Sequence, residues 1–197
     1  MSQPPDKPEN DKATWTDGGP SGGGEEDKSF AYRQSRKAFI AACEKAGTDV
    51  IGRVHPARAP DGGPLFMDAA AFGPRLAKSG VVVAAEAAPG AAVLLALLSG
   101  KAETRLSEEV RLVLVHGADP AAFAWNSDRH SDAKWGAAML RMVMMEDLRA
   151  AKMLTLAGLG RVPELVAPPG TSLSVVPIIP GGTARAAVEK LIAAAGE

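Results

Sequence analysis

Gly80-Val81-Val82-Val83-Ala84-Ala85, then Pro89 and the apolar run Ala91 to Leu98 closing at Gly100, then Val110 to Val115 ending at His116-Gly117, is the stretch that decides the fold. The two valine-rich runs are continuous rather than alternating, which is the pattern of strands covered on both faces. Pro89 suits the first position of a helix, where its missing N–H costs no hydrogen bond. The helix it opens has no polar face from Ala91 to Leu98, so it is expected inside the protein. Strand, helix, strand in this order predicts a right-handed parallel crossover. The fold class that follows is α/β, a mixed and mainly parallel sheet with helices on both faces in a three-layer αβα arrangement.

Working upstream, Ser29 is expected to cap a helix carrying Tyr32, Phe39, Ile40 and Cys43 at helical spacing and stopping at Gly47. Cys43 then faces a core near the helix C-terminus beside Glu44, where the helix dipole disfavours a reactive thiolate. Val50 to His55 and Leu65 to Phe72 flank Pro60-Asp61-Gly62-Gly63-Pro64 and read as a hairpin or edge pair. Downstream, Asp132 is expected to cap a helix that runs to about Leu156 and stops at Gly158, with Trp135, Ala138, Met139, Met142 and Met145 on one face. Val162 to Pro169 reads as loop. Leu173 to Ile179 reads as a strand in which Pro177 requires an edge or a bulge. Thr183 is expected to cap a last helix carrying Ala187, Val188, Leu191, Ile192 and Ala195. There is no internal repeat and no apolar run long enough to span a membrane.

The chain has 197 residues, with 22 Lys+Arg against 23 Asp+Glu. A net charge of -1 gives no electrostatic reason to bind nucleic acid or an anionic membrane. The charge is unevenly divided, however. Residues 1–28 carry net -4 and the remainder net +3. The first segment is rich in Pro and Gly and almost devoid of apolar residues except Trp15, so it is expected to be a disordered acidic tail, with residues 29–197 forming a single α/β domain. One cysteine forms no internal disulfide and the N-terminus does not read as a signal peptide, so a reducing cytoplasm is the expected compartment. Aromatics make up 5% of a chain that is 46% apolar. Its core must therefore be built from Ala, Val, Leu and Met.

Candidate chemistry is sparse. Of the histidines His55, His116 and His130, none has a second His or Cys at zinc-ligand spacing. His55 precedes Pro56 and reads as a strand-edge residue. His116 stands at the carboxyl end of a central parallel strand, where open α/β sheets place their ligand crevices; the plainer reading is a partly buried histidine bonded to backbone. Ser127-Asp128-Arg129-His130-Ser131-Asp132 is the densest polar cluster, either a base with orienting carboxylates or an ordinary capping segment. Pro180-Gly181-Gly182-Thr183 precedes a helix but lacks the lysine of a phosphate loop. Met139, Met142, Met144, Met145 and Met153 read as core filling in preference to an adaptable partner surface.

From Ser29 to about Asp132 the order of motifs resembles an uncharacterised bacterial branch of the zinc-carboxypeptidase-like superfamily. The matching residues are Ser29-Phe30, Arg36, Phe39, His55-Pro56, Asp61-Gly62, Leu65, Asp68, Ala70, Gly73-Pro74 and the run His116 to Trp125. The resemblance implies a histidine and a glutamate as zinc ligands after the strand Val81 to Ala85. An ungapped reading from Val82-Val83 puts Ala88 and Ala91 at those two positions, and alanine offers no ligand. Glu86 alone, without its histidine, would bind zinc poorly. The Arg and Asn expected to hold a substrate carboxylate survive at best as Asn126 to Arg129. The expectation is therefore a degenerate, shortened and non-catalytic relative with no metal and no cofactor, acting by binding a protein partner or a small ligand. Its ligand contacts would come from Glu86, His116, Asp119, Arg129 and His130. Two alternatives stand beside it: a small hydrolase with a relocated site at His116, Asp128, His130 and Asp132, and a structural subunit of a homo- or hetero-oligomer.

Overall fold

The computed structural model describes residues 25–85, 88–99, 106, 108–118, 129–148, 152–159, 167, 169–179 and 181–197. In chain order the elements are α1 (Glu25–Lys45), β1 (Val50–Arg58), β2 (Pro64–Phe72), β3 (Ser79–Ala85), α2 (Ala88–Ser99), β4 (Val110–His116), α3 (Arg129–Asp147), β5 (Met153–Leu159), β6 (Ser172–Ile178) and α4 (Ala184–Ala195). The six strands form one sheet in the order β1-β2-β4-β3-β5-β6. β1 and β2 form the expected antiparallel hairpin, and β2 runs antiparallel to β4. The pairs β3–β4, β3–β5 and β5–β6 are parallel, so the sheet is mixed and mainly parallel.

Alternation along the strands sorts the core into two halves. Phe72, Val81, Val83, Leu112, Leu114 and Leu159 point to one face and are covered by α1, α2 and α4. Met67, Val82, Val113, Val115, Leu154 and Leu156 point to the other and are covered by Leu140, Val143, Met144 and Leu148 of α3. Because β3 and β4 are buried on both faces, their runs are apolar at every position. Each large apolar side chain buried here contributes about 1.5–3 kcal/mol relative to exposure. Pro177 lies in β6, which pairs only with β5 and is an edge strand, as a residue without an N–H requires.

Four expectations need correction. The long helix from Asp132 to about Leu156 is not formed: α3 occupies Arg129–Asp147, and Met153–Leu159 is the strand β5. Without β5, the fully buried β3 would be left as an unpaired edge, whereas β5 satisfies its backbone and buries Leu154 and Leu156 on one face and Ala157 and Leu159 on the other. α1 begins at Glu25, inside the segment assigned to the tail, and Ser29 is buried in its body rather than capping it. The run Glu25-Glu26-Asp27 has the composition that the positive end of a helix favours. β1 continues past His55 to Arg58, with an irregularity between Val54 and Arg58 that accommodates Pro56. Thr183 directly precedes α4, yet its hydroxyl makes no capping bond.

The end of α1 matches its expected stop. Gly47 takes φ +73, its N–H donates to Glu44 O and that of Thr48 donates to Cys43 O, the arrangement in which a left-handed glycine closes a helix. Cys43 is fully buried. No helix among the described residues is long and apolar enough to cross a membrane.

Candidate functional site

One row of residues crosses the sheet at the carboxyl ends of the parallel strands. Gly52, Asp68, His116, Ala85, Leu159 and Ile178 are successive cross-strand partners from β1 to β6, and their side-chain positions share the face under α1, α2 and α4. β3 feeds α2 on this face and β4 feeds α3 on the opposite one. The boundary between Ala85 and His116 is therefore the switch point where open α/β sheets place their ligands.

The row divides into a polar and an apolar half. On the polar side, His116 is fully buried. Its ring stacks on Phe39 with centroids 5.6 Å apart and lies tilted to Tyr32 at 5.8 Å. Ser35 Oγ sits 2.9 Å from both the Tyr32 carbonyl oxygen and His116 Nε2. A hydroxyl has one hydrogen to give, and the carbonyl receives it, so Ser35 accepts from His116 Nε2–H. The lone pair stays on Nδ1, which is buried with no hydrogen-bond partner among the described residues. Burial, with the Arg36 guanidinium adding repulsion, pushes the imidazole down to about 4, so it is neutral at physiological pH.

Asp68, next along the row, has no exposed side-chain surface and takes two bonds from Arg36, Nε to Oδ2 at 2.7 Å and Nη2 to Oδ1 at 3.0 Å. The guanidinium in turn lies 3.9 Å above the Phe66 ring centroid. Gly52 leaves room for this pair, since a Cβ there would fall 2.8 Å from Asp68 Oδ1. The Tyr32 hydroxyl donates to Phe66 O at 2.8 Å and accepts from Phe66 N–H at 2.7 Å. Burial pushes that phenol up to about 12. Gly117 follows His116 at φ +69, and a Cβ there would meet Phe66 O at 2.6 Å, so only glycine lets β4 leave the sheet at this point. Together these groups fasten α1 to the ends of β2 and β4.

The apolar half is tightly packed at Gly90. Ala85 and Leu159 lie under the start of α2, where a Cβ on Gly90 would stand 2.7 Å from Ala85 Cβ and 3.1 Å from Leu159 Cβ. Ala91 is buried. Helix backbone thus packs directly against Ala85 and Leu159.

Of the site residues expected from sequence, His116 stands where it was expected, but it is wholly buried and bonded to a side chain rather than to backbone. Glu86, Asp119 and Asp128 lie outside the described residues. Arg129, His130 and Asp132 fall in α3, whose first turn begins at Arg129 rather than at a cap on Asp132. In the sequence Arg36 and Asp68 stand out only as motif matches and Tyr32 only as a helix residue at core spacing, and nothing there singles out Ser35. His55 is buried at the edge strand, its ring 4.5 Å from that of Trp135 in an edge-on contact and its Nδ1 accepting from Ala57 N–H. Met144 is core, whereas Met142, Met145 and Met153 are exposed.

Comparison with known sequences places the chain. The model of the family described as "Protein of unknown function (DUF2817)" matches residues 29–133, more than half of its length. The chain belongs to the DUF2817 family. Among curated proteins none matches its sequence. Solved structures similar to this DUF2817 chain include the glutaminyl cyclase of Macrostomum lignano, 18% identical with TM-score 0.44, covering 64% of this chain and 45% of that one. The glutaminyl cyclase of Fimbriiglobus ruber is 12% identical with TM-score 0.44, covering 64% and 53%. A leucine aminopeptidase precursor from Bacteroides thetaiotaomicron is 9% identical with TM-score 0.41, covering 68% and 61%. The chain spans about half the length of the two cyclases.

Among the described residues the donor set does not fit the zinc ion that the carboxypeptidase-like resemblance implies. Among the described residues no three His, Cys, Asp or Glu side chains converge. His116 Nδ1 keeps a lone pair, but a guanidinium and two aromatic rings surround its ring, and the carboxylate beside it is held by Arg36 through both oxygens. A divalent cation is repelled by the former and cannot recruit the latter without breaking the ion pair.

Proposed function

We propose that this DUF2817 chain is a degenerate relative of the zinc-carboxypeptidase-like enzymes that acts by binding a protein or small ligand rather than by catalysis. One observation carries the reading. At the switch point, Gly90 presses on Ala85 and Leu159; beside them Asp68 is held by Arg36 through both oxygens, and His116 is bonded to Ser35 through Nε2. An open zinc site needs three protein ligands and a free position for water, and this row supplies neither.

A buried, neutral His116 engaged with Ser35 is likewise a poor partner for a relocated hydrolase using Asp128, His130 and Asp132. The test is a turnover assay on the full chain, with zinc added, against free amino-terminal and carboxy-terminal peptides and a peptide beginning with glutamine. No turnover above buffer is expected for hydrolysis or cyclisation. Turnover abolished by His130→Ala would overturn the reading in favour of the relocated site.

A further inference from the structure

A groove of about 530 Å³ lies between α1 and the β1–β2 hairpin. One stripe of α1 forms a wall of it, with Arg33, Lys37, Ile40, Ala41 and Glu44 at the three- and four-residue steps of a single helix face and Phe66 opposite. Two members of that stripe carry unmatched charge. Lys37 and Glu44 are exposed, and neither pairs with an opposite charge among the described residues. Their helical neighbours cannot supply one. Three and four residues from Lys37 stand Arg33, Gln34, Ile40 and Ala41, and from Glu44 stand Ile40, Ala41, Gly47 and Thr48. Apolar surface borders the same groove. Phe30, seven residues before Lys37 and so on the same stripe, is 56% exposed. Val54 pairs with Phe66 across the hairpin and is 59% exposed, on a strand that forms the edge of the described sheet.

We propose that this face is the interface of a two-fold homodimer in which α1 of a second copy lies antiparallel along α1, Lys37 of each chain facing the partner's Glu44. The spacing selects this occupant. Lys37 and Glu44 are about 10 Å apart along the helix axis, with Ile40 and Ala41 midway between them. A two-fold axis through that midpoint reverses the helix, brings each Lys37 level with the partner's Glu44 and sets Ile40 against the partner's Ala41. The patch is thus complementary to itself, as an isologous contact requires. A parallel helix in register would instead set lysine against lysine and glutamate against glutamate. Arg33, one turn before Lys37, adds a second cation beside each incoming carboxylate, although Asp61 already bonds one of its nitrogens. The small, exposed Ala41 lets the two axes approach to the roughly 8–10 Å of packed helices. The inference concerns this face alone and stands whether or not the sheet-end row is catalytic.

Sedimentation of the full chain tests it, at about 100 μM, well above the micromolar upper end of standard-sized interfaces. Wild type is expected at twice the mass of one chain. Lys37→Glu leaves two glutamates on the stripe and Glu44→Lys two lysines, so each variant alone is expected to sediment as a monomer, with circular dichroism matching wild type. An equimolar mixture of the two variants restores both ion pairs across the two-fold axis and should return to the dimer mass, as should the double variant Lys37→Glu/Glu44→Lys. A wild-type chain that stays monomeric, whether alone or with a glutamate-rich peptide bound in the groove, would overturn the inference. So would a dimer that both single variants preserve, or single variants that stay monomeric when mixed. None of these results would touch the reading of the sheet-end row, which rests on zinc and turnover.

Discussion

Replacing Arg36 with Ala lowers the free energy of unfolding by about 3–5 kcal/mol, the usual cost of stranding one partner of a buried ion pair. Asp68 has no exposed side-chain surface, and Arg36 supplies both of its charge-assisted bonds. The loss is a large part of the stability of a domain this size, typically about 5–15 kcal/mol. Removing both charges together, as Arg36→Met with Asp68→Leu, should cost less than Arg36→Ala alone, because no unpaired carboxylate remains. Urea unfolding of the three chains checks both statements. A double variant as unstable as the single would show that the pair matters by packing, through the guanidinium on Phe66, and not by charge.

Acid supplies the second large effect. His116 titrates near 4 in the folded chain against 6.5 when exposed, because burial first and Arg36 second oppose its charged form. Between those values the unfolded chain binds the proton and the folded chain does not, so stability is complete above 6.5, falls as pH drops through the window and levels below about 4. This one group accounts for a loss of about 3 kcal/mol across the window. His116→Gln keeps a neutral amide near Ser35 and removes the titration. Unfolding free energies measured across the window should therefore fall more steeply for wild type than for the variant. Parallel curves would show that His116 is protonated as readily in the fold as outside it.

The centre of the sheet is legible in the sequence because Val81 to Ala85 and Val110 to Val115 are buried on both faces and leave no polar position to confuse the pattern. The hairpin and the edge position of Pro177 are legible for similarly local reasons, turn chemistry and a missing N–H. Met153 to Leu159 is not legible as a strand: no Gly or Pro stands between Leu148 and Met153 to mark the end of the preceding helix, and short apolar runs fit a buried helix or a buried strand equally well. Its identity is decided by β3, which needs a neighbour. The site is less legible still. Ser35 meets His116 across 81 residues and Arg36 meets Asp68 across 32, and neither partner signals the other in the sequence. Only the resemblance brought Arg36, Phe39, Asp68 and His116 together as motif residues, and in the fold they converge where α1 is fastened to the ends of β2 and β4.

Among the described residues Gly90 packs closely against Ala85, and the alanine at position 91 brings no donor. The most direct measurement is the zinc content of the purified full chain after exchange into zinc-containing buffer and dialysis against metal-free buffer. Zinc far below one ion per chain is the expected result, unchanged by His116→Gln. One tightly held ion per chain that survives dialysis and is lost in that variant would contradict the non-catalytic reading at its root.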